Sequence, residues 1–320
     1  MSYDIIRPAS HEGWLQARKE GIGSSEVATI LGANPYESVY RLWRRKKGMD
    51  AEKAETFAMK AGHYLEDAVS RFYADETGRQ IIKRSAGDWL AVDRDRPYLR
   101  VSPDRTYWID GAPRNRKNKG IVECKTTQMK VDADDVPMYW FCQLQYQLGV
   151  MGLKEGSLAW LTAGREFGYK DFAFDADFYG WMTDQIEAFW NTYIEGDEEP
   201  EAVCAEDVMT KWPRSRERKV VEAGEALKPY MEELQSVKRY LSELDTRKKQ
   251  LEDALKVVME DAEELTYRED TGAVKVVATW RTGKDVRKFD EKAFAKDKPE
   301  EYAAYTKEAA GVRRFVFKGM

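Results

Sequence analysis

Ser102-Pro103-Asp104 and, nineteen residues on, Ile121-Val122-Glu123-Cys124-Lys125-Thr126 stand at the ends of two consecutive β-rich segments. The architecture follows from how those segments pair. Side chains alternate along a strand, so Glu123 and Lys125 share one face while Cys124 points to the other, toward a core. Asp104 sits on a turn after the segment Tyr98 to Val101. If that segment pairs beside Ile121 to Lys125, two carboxylates and an ammonium meet at one place.

The flanking sequence alternates between helical and extended texture. Glu12 to Arg18 predicts a short helix, and Gly21-Ile22-Gly23-Ser24-Ser25 turns the chain into a second that starts near Ser25 and ends at Gly32. A third spans Ser38 to Lys47, and a fourth runs from Phe57 to Asp75 with Ala61, Leu65, Ala68 and Phe72 at helical spacing. After Gly78 the texture becomes extended: Gln80 to Lys83, Trp89 to Val92, Tyr98 to Val101, Thr106 to Ile109 and Ile121 to Lys125, with Gly111 to Gly120 as a hairpin connection. Pro137 opens a helix carrying Trp140, Leu144, Leu148 and Met151 on one stripe. Strands Leu158 to Leu161 and Tyr169 to Phe174 follow, and a helix from Phe178 to Ile194 closes the unit. Helices, a mixed sheet and helices again predict an α/β domain over residues 1–195, and residues 196–320 form a C-terminal extension that begins with an acidic linker.

Within that extension a seven-residue repeat sets Leu227, Leu234, Leu241, Lys248 and Leu255 in alternation with Tyr230, Val237, Leu244, Leu251 and Val258. Nine of these ten positions are apolar, which predicts a coiled-coil-like helix over about residues 225–260, interrupted by Lys248. It can pair with itself or pack on the main domain. Strands near Val274 to Trp280 and Arg313 to Phe317 would make the tail a small α+β cap.

Composition narrows the chemistry. The chain has 320 residues, 42% of them hydrophobic, enough for a full core. With only two histidines, His11 and His63, sites built from several imidazoles are excluded. The three cysteines, Cys124, Cys142 and Cys204, form no C-x-x-C pair and read as reduced thiols. Any metal must be held by carboxylates. The net charge of −5 hides a local surplus, because Arg79 to Lys130 holds thirteen Lys/Arg against six Asp/Glu. A basic working face on an acidic body fits a nucleic-acid substrate. No run of eighteen apolar residues and no secretory leader are seen, so the expected location is cytoplasmic.

Hard carboxylate oxygens beside a lysine suit Mg²⁺ or Mn²⁺ and phosphodiester hydrolysis. Pro-Asp before an acid-x-lysine strand, with a glutamine-bearing helix after it, is the order of the PD-(D/E)-x-K nuclease superfamily. More narrowly, Trp14-x-x-x-Arg18-x-x-Gly21-Ile22-Gly23-x-Ser25-Glu26, Gly62-x-x-x-Glu66, Ser102-Pro103-Asp104, Glu123-Cys124-Lys125 and Gln143-Leu144-Gln145-Tyr146 together resemble the lambda-type phage exonucleases, the YqaJ-type viral recombinase family, over residues 10–195. The resemblance implies a restriction-endonuclease-like core with a central mixed β-sheet flanked by helices, to which the long C-terminal helix and α+β cap are added. It also implies a 5′→3′ exonuclease on linear double-stranded DNA that leaves a 3′ strand for a single-strand annealing protein, working as a toroidal homotrimer with two Mg²⁺ (or Mn²⁺) ions per site.

Carried onto these positions, the resemblance makes Asp104, Glu123, Glu66 and the backbone carbonyl of Cys124 the metal ligands. Lys125 becomes the catalytic lysine and Gln143 the residue that orders it or the water. Arg18, Ser25 and Ser102 would hold the terminal 5′-phosphate, in keeping with the fork of donors on arginine and the free N–H groups where a helix begins. Arg41, Arg44, Arg45, Lys46 and Lys47, with Tyr40 and Trp43 among them, form a basic helix end suited to tracking the DNA backbone. Two other readings remain open: a structure-specific endonuclease on the same fold, and a catalytically silent DNA-end-binding scaffold.

Overall fold

The computed structural model describes residues 3–50, 56–82, 88–196, 198–309 and 311–319. In chain order the first elements are β1 (Tyr3–Ile6), α1 (His11–Lys19), β2 (Ile22–Gly23), α2 (Ser24–Ile30), α3 (Val39–Lys46), α4 (Phe57–Thr77), β3 (Ile81–Ile82), β4 (Leu90–Asp93), β5 (Leu99–Val101), β6 (Arg105–Trp108) and β7 (Lys119–Thr127). There follow α5 (Met138–Met151), β8 (Glu155–Thr162), β9 (Glu166–Ala173), α6 (Ala176–Phe189) with a π-helical turn at Trp190–Glu195, and α7 (Ala205–Lys211). The ends are marked by local chemistry: Ser10, Ser38, Thr56 and Asp175 accept the N-terminal N–H groups of α1, α3, α4 and α6. Gly78 and Gly152, both left-handed, stop α4 and α5. Of the expected strand Gln80 to Lys83, Ile81–Ile82 is observed and Lys83 lies outside the described residues.

These strands form two sheets rather than one. The smaller has the order β1-β4-β5-β2 and the larger β3-β6-β7-β8-β9. In the larger sheet β6 and β7 are antiparallel, a hairpin closed by the predicted Gly111 to Gly120 connection, while β7 and β8 are parallel and are linked through α5. The expected mixed α/β architecture, a mixed sheet flanked by helices followed by a long C-terminal helix, is present. One pairing differs from expectation. The segment Tyr98 to Val101 does not lie beside Ile121 to Lys125; β5 belongs to the smaller sheet, where it is antiparallel to β4 and parallel to β2. The neighbour of β7 is β6, because the short hairpin brings consecutive strands together at the least loss of chain entropy.

Alternation along β7 and β8 divides the interior. Ile121, Leu158 and Trp160 face the core built with α5, including Trp140, Leu144 and Leu148. Val122, Cys124, Ala159 and Leu161 face a second core with Val69 and Tyr73 of α4. With both faces covered, the strand reads as a nearly continuous apolar run. Glu123, 2% exposed, is the charged interruption on the α5 side.

The chain divides into two units, Met1–Lys211 and Trp212–Met320. The acidic stretch expected as a linker instead contributes α7 to the first unit. Asp207, fully buried, accepts from Ser38 Oγ at 2.7 Å, and Glu206 pairs with Arg41 at 2.6 Å. The second unit contains α8 (Lys228–Met259), the hairpin β10 (Glu264–Arg268) and β11 (Val274–Thr279), and two short helices, α9 (Glu291–Asp297) and α10 (Pro299–Tyr305). The predicted Val274 to Trp280 strand is thus seen, but Arg313 to Phe317 is not a strand. The partner of β11 is β10, the sequence neighbour that a tight turn can deliver. Among the described residues no helix is long and apolar enough to cross a membrane.

Candidate active site

The hairpin sets the first contacts. Arg105 is opposite Val122 in the β6–β7 register, so the residue before β6, Asp104, falls opposite Glu123. Asp104 Oδ2 accepts the Cys124 N–H at 2.8 Å, which pins the carboxylate to the edge of β7. Lys125 Nζ donates to Glu123 Oε1 at 2.8 Å and to Gln143 Oε1 at 2.7 Å, and the Gln143 amide donates in turn to Glu123 Oε1. Asp104, Glu123, Lys125 and Gln143 are therefore brought together as expected. The strand-alternation argument predicted the first contact, and the α5 crossover supplied the second.

Glu66 approaches from α4, on the other side of the sheet. It lies 3.0 Å from His63 Nδ1 and 3.8 Å from Arg105, the residue after Asp104. Burial pushes the Asp104 carboxyl well above the usual carboxylate range, and the negative charges of Glu123 and Glu66 push it further, with Lys125 only partly opposing them. A site with more carboxylate than cation charge attracts a hard cation. Its chemistry also leaves room for one: Glu123 uses three of about four acceptor positions, and the recorded bond to Asp104 uses one. The donor set thus fits Mg²⁺ or Mn²⁺, which take few protein oxygens and keep waters. Among the described residues no three acidic, histidine or cysteine side chains stand together as a set able to hold a metal ion; the Glu123 oxygens accept from Lys125 and from Gln143 and Gln147 of α5. The Cys124 thiol is held neutral by burial and by Asp104 and Glu123, so its backbone carbonyl is the group left for a metal.

Gln147 belongs to this site and was not predicted. One helical turn beyond Gln143, it is fully buried, and its Nε2 donates to Glu123 Oε2 at 2.9 Å and to Ser24 Oγ at 3.2 Å. Among the described residues its Oε1 has no hydrogen-bond partner. The available signal was the i, i+4 spacing of Gln143 and Gln147, which puts them on one face of a largely apolar helix, with Gln145 between them on another. Tyr146, on the same side, donates to the Ile22 carbonyl at 2.8 Å and accepts the Arg100 N–H at 3.2 Å. Helix α5 therefore ties the acidic site to the β2–β5 pair.

That pair carries the expected phosphate-binding residues. Gly23 is opposite Arg100 in parallel register, so Ser25 and Ser102 leave the same end of the pair. Arg18 Nη2 reaches Ser25 Oγ at 3.5 Å, the outer limit of a hydrogen bond, and its guanidinium lies 4.8 Å above the Trp14 ring. Among the described residues Ser102 makes no hydrogen bond to Arg18 or Ser25. Gly21 is required here, since a Cβ would stand 2.4 Å from the Tyr98 carbonyl oxygen.

Beneath Arg18 lies a buried ion cluster centred on Glu26, also missed. Lys46, with 3% of its side chain exposed, pairs with Glu26 Oε2 at 2.7 Å; Arg45 pairs with Oε1 at 2.6 Å and with Glu37 at 2.9 Å. Glu26 also accepts the Gly23 N–H at 2.8 Å, the helix-capping contact signalled by a glutamate at the third helical position. Burial alone would raise the Glu26 carboxyl, yet Lys46 and Arg45 hold it below the usual range. The five cations expected to track DNA therefore have partners within the chain: Arg45 with Glu26 and Glu37, Lys46 with Glu26, Arg41 with Glu206, Arg44 in a forked contact with Asp50 at 2.8–3.1 Å, and Lys47 with the Ile194 carbonyl at 2.7 Å. A run of cations on one helix does not reveal which distant carboxylates neutralise it.

A mixed sheet with a parallel β7–β8 pair, two acids brought opposite by a hairpin, and a lysine ordered by the crossover helix define the class: a mixed α/β domain, its sheets flanked by helices, in which two acids and a lysine meet. Residues 13–154 match the family described as YqaJ-like viral recombinase domain. The uncharacterized protein YqaJ of Bacillus subtilis (strain 168) is 26% identical over 265 residues, covering 79% of this chain and 80% of that protein. The match is longer than the first unit and so enters the second. Among solved structures, an alkaline exonuclease (LHK-Exo) from Laribacter hongkongensis is similar at 16% identity, over 57% of this chain and 93% of that one, with a TM-score of 0.44. A phage-related exonuclease from Haemophilus somnus 129PT is similar at 9% identity, over 55% and 94%, with a TM-score of 0.41.

Proposed function

We propose that the chain is a divalent-metal-dependent deoxyribonuclease that digests one strand of linear double-stranded DNA from its 5′ end, leaving a 3′ strand for annealing-type recombination. The observation that carries this reading is the convergence of Asp104, Glu123, Lys125 and Gln143 at the β6–β7 hairpin, within the segment that matches the viral recombinase family. Asp104, Glu123, Glu66 and the Cys124 carbonyl would hold Mg²⁺ or Mn²⁺. When bound, the ion supplies Lewis-acid polarisation of the phosphate and lowers the pKa of water.

The residues of the chain do the rest. Lys125, oriented by its bonds to Glu123 and Gln143, points an ammonium at the scissile phosphate, where it positions water and stabilises charge that develops on the phosphoryl oxygens. Gln143 keeps that ammonium from collapsing fully onto Glu123. Arg18, with Ser25 beside it and Ser102 at the same end of the β2–β5 pair, would receive the terminal phosphate. Contacts of Arg41, Arg44 and Arg45 with the DNA backbone require exchange of their own carboxylates for phosphate, so they contribute weakly and are sensitive to salt.

Purified Asp104→Ala and Lys125→Ala proteins are expected to lose metal-dependent digestion of linear duplex DNA while keeping the wild-type circular dichroism spectrum. Full activity in either ends the proposal. Cleavage of closed circular DNA by the wild type would move the assignment to an endonuclease. The resemblance further implies a ring of three copies and an annealing partner, which a light-scattering mass and a pull-down test separately.

A further inference from the structure

Helix α8 is 32 residues long, about 48 Å at the usual rise, and its heptad stripe is open. Leu241, Leu244, Leu251, Leu255 and Val258 are 47–71% exposed, and Val237 is 44% exposed. An isolated helix draws most of its stability from packing an apolar face, so a stripe sustained over more than four heptads calls for a partner.

The flanking charges say which partner. With Leu227 and its repeats at a and Tyr230 and its repeats at d, the g positions include Glu233 and Arg247 and the following e positions include Lys238 and Glu252. A parallel, in-register copy of the same helix sets Glu233 against Lys238 and Arg247 against Glu252 in both directions, with no like-charge pair at g and e. An antiparallel copy in the register that aligns a with d matches only Lys238 with Asp245. Lys248, the one polar a residue, reaches Glu252 of its own helix at 3.7 Å, so its charge is already countered where two copies would meet. Phe317 of the tail lies beside Lys238, an e residue, its ring centroid 5.5 Å from Nζ and its carbonyl accepting at 2.8 Å.

We propose that α8 is a self-association helix that forms a parallel, in-register coiled coil with α8 of another copy of this chain. The inference is independent of the nuclease assignment. Lys248 selects the register at some expense of stability, and the apolar seam supplies the association.

The test uses the full chain with exposed Cys204 replaced by serine and Val237→Cys introduced at a d position; the remaining thiols, Cys124 and Cys142, are buried. Under mild oxidation most chains should become disulfide-linked in a parallel register, since residue 237 then faces its own equivalent. Adding Leu241→Asp and Leu255→Asp, both on exposed positions, should reduce the linked fraction at least tenfold. Glu233→Lys should reduce it, and the double exchange Glu233→Lys/Lys238→Glu should restore it. Absence of linkage, or linkage that survives the two aspartates, overturns the proposal whatever mass the first unit confers. Linkage that appears only when a different protein is added also overturns it.

Discussion

Replacing Gln147 by leucine separates a positioning role from a structural one. The change removes a hydrogen bond to an ionised acceptor, worth about 1.5–3 kcal/mol, and a long bond to Ser24 near the lower end of about 0.5–1.5 kcal/mol. It also removes the partnerless buried Oε1, whose lost hydration costs about 1–3 kcal/mol in the wild type. The opposing contributions leave a net destabilisation of about 1 kcal/mol, a fall of about 2–4 °C in Tm for a domain of this size. Glu123, however, loses the donor on Oε2, the oxygen not already committed to Lys125 and Gln143. Loss of such a supporting contact typically lowers metal affinity or activity by about 10–100-fold. Digestion of a linear duplex should therefore fall by that factor, with a higher Mg²⁺ concentration needed for half-maximal rate. Thermal unfolding without metal should show only the small shift. A folded Gln147→Leu protein with unchanged rate and unchanged metal requirement would refute the reasoning, and Gln143 alone would then orient the site.

Three further perturbations test neighbouring parts. Glu26→Gln strands Lys46 and Arg45 without their shared carboxylate and should cost about 3–5 kcal/mol in urea unfolding at pH 7. Because the folded Glu26 titrates below its ordinary 4.5, its contribution is complete above that pH and is lost as pH falls through the folded value. The wild-type protein should lose stability over that acid window and the glutamine variant should lack this component; identical slopes would remove Glu26 from the account. Arg18→Ala should narrow the rate difference between 5′-phosphorylated and unphosphorylated ends, whereas an unchanged difference would reassign Arg18 to packing on Trp14. Gly149→Ala places a Cβ 2.1 Å from the Tyr179 ring. Overpacking of about 1–3 kcal/mol should then exceed the roughly 1 kcal/mol gain in helix propensity, and a more stable variant would show that α5 and α6 can slide apart.

Local pattern carried much of the molecule. Period-two alternation marked Glu123 and Lys125 as neighbours on one face, and Cys124 as a core residue. The stripe from Trp140 to Met151 located α5, and the seven-residue repeat located α8. Each of these signals is written in residues a few positions apart. The expected Arg313 to Phe317 strand shows the limit: its composition suits a strand, but a strand exists only where another offers its backbone groups.

From the amino-acid order alone came the acid, acid and lysine set, the helix bearing Gln143, and the heptad seam with its single lysine. The folded chain alone decided that β6, not β5, lies beside β7, that Tyr3–Ile6 and Ile22–Gly23 join a separate small sheet, and that Gln147, Lys46 and Glu26 stand at the site. Alternation and helical period are properties of neighbouring residues. Strand partnership and the burial of a charge depend on groups up to 169 residues apart, as with Ser38 and the buried Asp207, and they are settled only when the whole core closes.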